Sequence, residues 1–148
     1  MTRDATGNDP PKIVVLYCQH SVREEGSVGA ESEKASGFSV RAVMMPCSSK
    51  IRVSQLLGIL ERGALAVEVV GCPDEKCRNL VGSRRAQKRV ECARRLLDAI
   101  RVGGTRVGIT RKDALSARDL VGLAVARGRE AGRGAVEGEG TTEEGVTR

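Results

Sequence analysis

Short apolar runs alternate along this chain with longer segments of helical periodicity, and both ends are polar. Lys12 to Tyr17 (KIVVLY) is continuously apolar apart from its first residue and rich in β-branched side chains, as expected of a strand buried on both faces. Phe38 to Met45 (FSVRAVMM) and Leu65 to Val70 (LAVEVV) predict a second and a third strand, and Thr105 to Thr110 (TRVGIT) a weaker fourth. Between them, Leu56, Leu57, Ile59 and Leu60 recur at helical spacing, with Ser54 as the expected cap and Gly63 as the expected stop. Ala86, Val90, Ala93, Leu97 and Ile100 trace the inner stripe of a helix over about Ser83 to Val102, closed by Gly103-Gly104. A last helix is expected from near Asp113, with Leu115, Leu120, Leu123 and Val125 turned inward.

Strands that alternate with helices through short turns pair in parallel, because a parallel crossover needs a dozen or more residues and usually uses a helix. The expected fold is therefore α/β: a small three-layer sandwich with a mostly parallel sheet of about four strands, flavodoxin-like in general shape. Residues 12–127 form one domain in this reading. Residues 1–11 are expected to be disordered, Gln19 to Gly37 to be a mobile loop, and 128–148, glycine-rich and then acidic, to be a solvated disordered tail.

Composition narrows what such a domain can do. Of 148 residues only Tyr17 and Phe38 are aromatic, so the core is aliphatic and no stacking platform for single-stranded nucleic acid exists. A net charge of +6 could draw phosphates, but no nucleic-acid motif accompanies it, and a basic docking face for a protein partner is the preferred reading. No apolar run reaches the ~20 residues that cross a bilayer, so a membrane role is not expected. Five cysteines behind an N-terminus with no apolar leader segment suggest a reducing cytoplasm, where structural disulfides are rare.

Those cysteines are the candidate chemistry. Cys18, Cys47 and Cys72 each follow a predicted strand, and Cys77 lies in the loop after the third. In an open parallel sheet every strand delivers its C-terminus to one edge, where ligand sites form, so these thiols should meet. A four-thiolate set suits tetrahedral zinc or an iron–sulfur cluster, and a thiol-redox or zinc-stabilised interaction module remains the alternative. The start of the basic helix near Ser83, with Arg78, Arg84 and Arg85, would favour thiolates there. Cys92 belongs by its position to the helix packing, and His20 is read as a loop residue near Cys18. One histidine and scattered carboxylates provide no hydrolytic set.

Three segments, KIVVLYC at 12–18, RAVMMPCSSKI at 41–51 and VVGCPDEKCRNLVGSRRAQKRVE at 69–91, resemble the delta subunit family of methyl-viologen-reducing hydrogenase over roughly residues 12–105. The resemblance implies a [2Fe–2S] cluster on Cys18, Cys47, Cys72 and Cys77. It also implies electron transfer between a hydrogenase or other oxidoreductase and a flavin subunit of the heterodisulfide-reductase type. The family's first loop usually reads C-C-x-x-C, and here Tyr17, Cys18 and Ser21 stand at those places.

Overall fold

A computed structural model describes residues 10–22, 37–73 and 82–147, with side chains described as far as residue 133. Four strands and three helices follow in the order β1 (Lys12–Cys18), β2 (Ser39–Met45), α1 (Val53–Glu61), β3 (Ala66–Gly71), α2 (Gly82–Ala99), β4 (Val107–Arg111) and α3 (Ala117–Thr147). All pairings are parallel, and the strand order is β2-β1-β3-β4. The sandwich expected from the alternation of strands and helices is the fold observed.

The period-two geometry of a strand sorts the side chains of β1 and β3 between two cores. Ile13, Val15 and Tyr17 of β1, with Ala66 and Val70 of β3, pack against Leu120, Ala124 and Ala131 of α3. Val14 and Leu16 of β1, with Val67 and Val69 of β3, pack against Leu56 of α1 and Val90, Ala93 and Leu97 of α2. The central strands are buried on both faces, which explains why they read as unbroken apolar runs.

One polar side chain is enclosed on the α3 face. Glu68 of β3 is 2% exposed, accepts a bond from Arg127 Nε of α3 at 2.7 Å and another from Thr110 Oγ1 of β4 at 2.6 Å. Gly108 stands opposite Glu68 in the β3–β4 register, and a Cβ there would lie 2.0 Å from the Arg127 guanidinium. The missing side chain is what lets Arg127 lie across β4. Burial pushes the Glu68 carboxyl above its usual 4.5, and the bonds from Thr110 and Arg127 offset that only in part.

Several elements differ from the sequence expectation. The first helix starts at Val53, and the Arg52 amide is capped by the Gln55 side chain at 2.9 Å, so Ser54 lies inside the helix. The stripe on α2 holds through Leu97, but the helix ends at Ala99 and Ile100 is 67% exposed. Positive φ at Arg101 and Gly103 turns the chain away at that point. Of the expected mobile loop, Gln19–Ser21 form a 3-10 turn and Val22 bridges to Leu115 at the edge of the core, while 23–36 lie outside the described residues. Residues 1–9 also lie outside them.

The last helix begins later and runs further than expected. Ser116 and Asp119 cap it reciprocally, each side chain accepting from the other's amide at 3.1 and 2.9 Å. It continues through Gly128, where the sequence reading ended the domain, and Ala131 beyond it is 1% exposed. Gly128 is a packing glycine: a Cβ there would meet Ile13 Cδ1 at 2.4 Å.

Candidate functional site

Strand order makes the boundary between β1 and β3 the place where the chain reverses its direction of winding, because β2 is added on one side of β1 and β3 on the other. Crevices at such switch points, outside the carboxyl ends of the strands, are where open α/β sheets bind ligands. Cys18 is the last residue of β1, and Cys72 follows the last residue of β3. The two pack together as a small buried cluster at 1% and 2% exposure.

Cys47, two residues past β2, is 5% exposed and its sulfur accepts from Ser49 N at 3.4 Å and Ser49 Oγ at 3.2 Å. Neighbours of Cys47 tie it to the other two strand ends. Gln19 Nε2, next to Cys18, donates to the Pro46 carbonyl at 3.4 Å. Ser48 Oγ lies 3.2 Å from where a Cβ of Gly71 would stand, so glycine beside Cys72 permits the close approach.

Helix α2 braces this edge. Arg89 Nη1 donates to the carbonyl of Ile51 at 2.8 Å and to that of Ser49, holding the turn that carries Cys47. Ser83, in the first turn of α2, packs on Gly71 with its Cβ 3.3 Å from the position of a glycine Cβ. The amino end of the helix, with its partial positive charge, is therefore beside Cys72.

The sequence placed Cys18, Cys47 and Cys72 at one sheet edge, and there they are, with Cys18 and Cys72 in contact. Cys77 and Arg78 lie outside the described residues. Cys92 is half-buried on α2, nine positions after Ser83 and hence roughly 14 Å along the axis. His20 is half-buried in the turn after Cys18. Cys18, Cys47, Cys72 and Cys92 are thiols, with no disulfide among them.

Two residues that composition alone did not single out flank the thiols. The hydroxyls of Ser21 and Ser83 are completely buried, and neither has a hydrogen-bond partner among the described residues. A buried hydroxyl without a partner costs ~1–3 kcal/mol, so these are groups that an acceptor at the edge would satisfy. The donor set thus fits a soft, electron-rich centre: adjacent thiols at the switch point, a third sulfur held by two donors, and orphaned hydroxyls beside them. Among the described residues, no group of three His, Cys, Asp or Glu side chains stands ready-made to hold a metal ion.

An open parallel sheet with Cys18 and Cys72 in contact at its switch point defines a small α/β protein with a thiol-bearing carboxyl edge. The chain belongs to the delta subunit family of methyl-viologen-reducing hydrogenase, whose sequence model matches residues 13–126. That span includes the first part of α3, beyond the segments in which the likeness is visible by eye. The chain is 30% identical over 111 residues to the vhu iron-sulfur subunit of the F420-non-reducing hydrogenase of Methanocaldococcus jannaschii, an alignment covering 75% of this chain and 83% of that one. The iron-sulfur subunits of the same name from Methanococcus maripaludis and Methanopyrus kandleri are each 29% identical, over 97 and 102 residues. Those alignments cover 66% of this chain and 72% and 74% of theirs. Among the described residues, no helix is long and apolar enough to cross a membrane.

Proposed function

We propose that this chain is an electron-transfer subunit of an oxidoreductase complex, with no substrate chemistry of its own, and that Cys18, Cys47, Cys72 and Cys77 hold a [2Fe–2S] cluster. The observation that carries the reading is the buried contact of Cys18 with Cys72 at the switch point, with Cys47 buried and held by Ser49 just past the end of the neighbouring strand. A [2Fe–2S] cluster supplies reversible one-electron chemistry when bound. Around it, this chain's task is to exclude water with the aliphatic walls, to donate hydrogen bonds to sulfur, and to offset negative charge with the amino end of α2. The names of the relatives, hydrogenase iron-sulfur subunits, support both the cluster and a hydrogenase partner.

In this reading electrons pass between a hydrogenase or other oxidoreductase and a flavin subunit of the heterodisulfide-reductase type. Anaerobic purification followed by iron and sulfide analysis, visible absorption and electron paramagnetic resonance tests it. The expected result is two irons and two sulfides per chain with a reducible, paramagnetic signal. A colourless product that takes up one zinc and no iron after reconstitution would favour the zinc-stabilised module instead. Reversible disulfide formation with no metal of either kind would favour the thiol-redox one.

A further inference from the structure

β2 ends the strand order, and it is left partly uncovered on the face that α1 and α2 share. Arg41, Val43 and Met45 point to that face, opposite Val14, Leu16 and Cys18 in the register. Val43 is 37% exposed, and next to it Met44, on the other face, is 47% exposed. Between β2 and the end of α1 lies an open groove of about 300 Å³ whose floor is Val14, Leu16 and Ile59.

Three cations rim that floor: Lys12 from the start of β1, Arg41 from β2 and Arg62 from the end of α1. The lining holds no carboxylate, and no ion pair engages any of the three among the described residues. Cations drawn from three separate elements onto one apolar strip suit an anionic ligand. Along the outer side of β2, which ends the strand order, no strand pairs among the described residues. An apolar edge strand left open in this way is a template for strand addition.

We infer that this groove docks an extended acidic segment of a partner polypeptide, which adds to β2 as a strand, seats apolar side chains on Leu16 and Val43, and sets carboxylates against Lys12, Arg41 and Arg62. The volume is at the lower limit of small-ligand pockets, ~300–1,000 Å³, and the groove lies open along the strand, which suits a side chain of a longer ligand. The cationic rim stands toward the start of β1, at Lys12, whereas Cys18 ends that strand. This docking stands independently of the cluster.

The test is to pan a displayed library of random peptides on the full chain, with counter-selection on an Arg41→Gln/Arg62→Gln variant whose fold is checked by circular dichroism. Enriched peptides should alternate acidic and apolar residues, protect the outward amides of Val40, Ala42 and Met44 from exchange, and bind at least tenfold more weakly to the double variant and to Val43→Ser. Affinity should fall as salt rises. Enriched peptides without carboxylates, protection elsewhere, equal binding by the variants, or no enrichment over the double variant would each overturn the proposal. So would decanoate or inorganic phosphate alone reproducing the protection with the same dependence on Arg41 and Arg62, which would make this a small-anion site.

Discussion

Cys18, at the last position of β1, touches Cys72, one residue beyond β3, and the pair is enclosed at 1% and 2% exposure. Nothing local brings them together; the parallel pairing of β1 with β3 does. If both are ligands, Cys18→Ser and Cys72→Ser should each sharply lower the iron held per chain after anaerobic reconstitution. Cys92→Ser should leave iron unchanged, since Cys92 is half-buried on α2 away from the edge. Far-ultraviolet circular dichroism of each cluster-free variant separates ligand loss from misfolding, and equal iron in all three would sink the ligand assignment.

Arg89 gives the basic face of α2 a structural task. Its guanidinium donates to the carbonyls of Ser49 and Ile51, so Arg89→Ala should remove ~1–3 kcal/mol by denaturant unfolding. It should also loosen the turn that carries Cys47. Alkylation of Cys47 is then expected to quicken while that of Cys92 stays constant, as mass spectrometry of quenched time points would show. Arg89→Lys should recover only part of the loss, because an ammonium cannot reproduce the planar fork. Unchanged Cys47 reactivity in the alanine variant would remove Arg89 from the site.

Glu68 links stability to pH. Its folded pKa is raised above 4.5, chiefly by burial, so the unfolded chain loses this proton first as pH rises. Between 4.5 and the folded value the native state binds more protons, and stability contributed by this group falls with increasing pH. Below 4.5 the contribution is fully present. Glu68→Gln retains an oxygen for Arg127 and should flatten that decline when unfolding free energy is measured across the weakly acidic range. Glu68→Ala removes the partner of Arg127 Nε, while Thr105 and Glu130 still engage its Nη1, and should cost ~1–3 kcal/mol at neutral pH. An identical slope in the glutamine variant would show that another group carries the dependence.

The strand ends were legible because a buried parallel strand must be apolar throughout, and that fixed where Cys18, Cys47 and Cys72 would lie. What stayed hidden depends on partners remote in sequence. Glu68 reads as one polar position inside LAVEVV, and its partner Arg127 is 59 residues further on. Val22 sits in a polar stretch and is drawn in by its bridge to Leu115. Ile100 continued the helical stripe in sequence, yet the turn at Arg101 ended the helix before it. Ser21 and Ser83 were named in the sequence for their positions, but that their hydroxyls are buried without partners among the described residues is visible only in the fold.

Gly128, placed by composition at the start of a solvated tail, lies within α3 and packs on the core. A glycine near the end of an amphipathic pattern is ordinarily a stop signal, but here α3 passes through it because the helix lies close on β1. A Cβ at 128 would stand 2.4 Å from Ile13 Cδ1 and 3.0 Å from Phe38 Cε1. Gly122, six residues earlier on the same helix, has nothing within 4 Å of that position. Gly122→Ala should therefore stabilise the chain by up to ~1 kcal/mol through helix propensity alone. Gly128→Ala gains the same propensity but forces Ile13 from a filled core, for a net loss of ~1–2 kcal/mol. Thermal and denaturant unfolding of the two variants side by side checks this, and stabilisation by both substitutions would mean that α3 does not press on Ile13 as described.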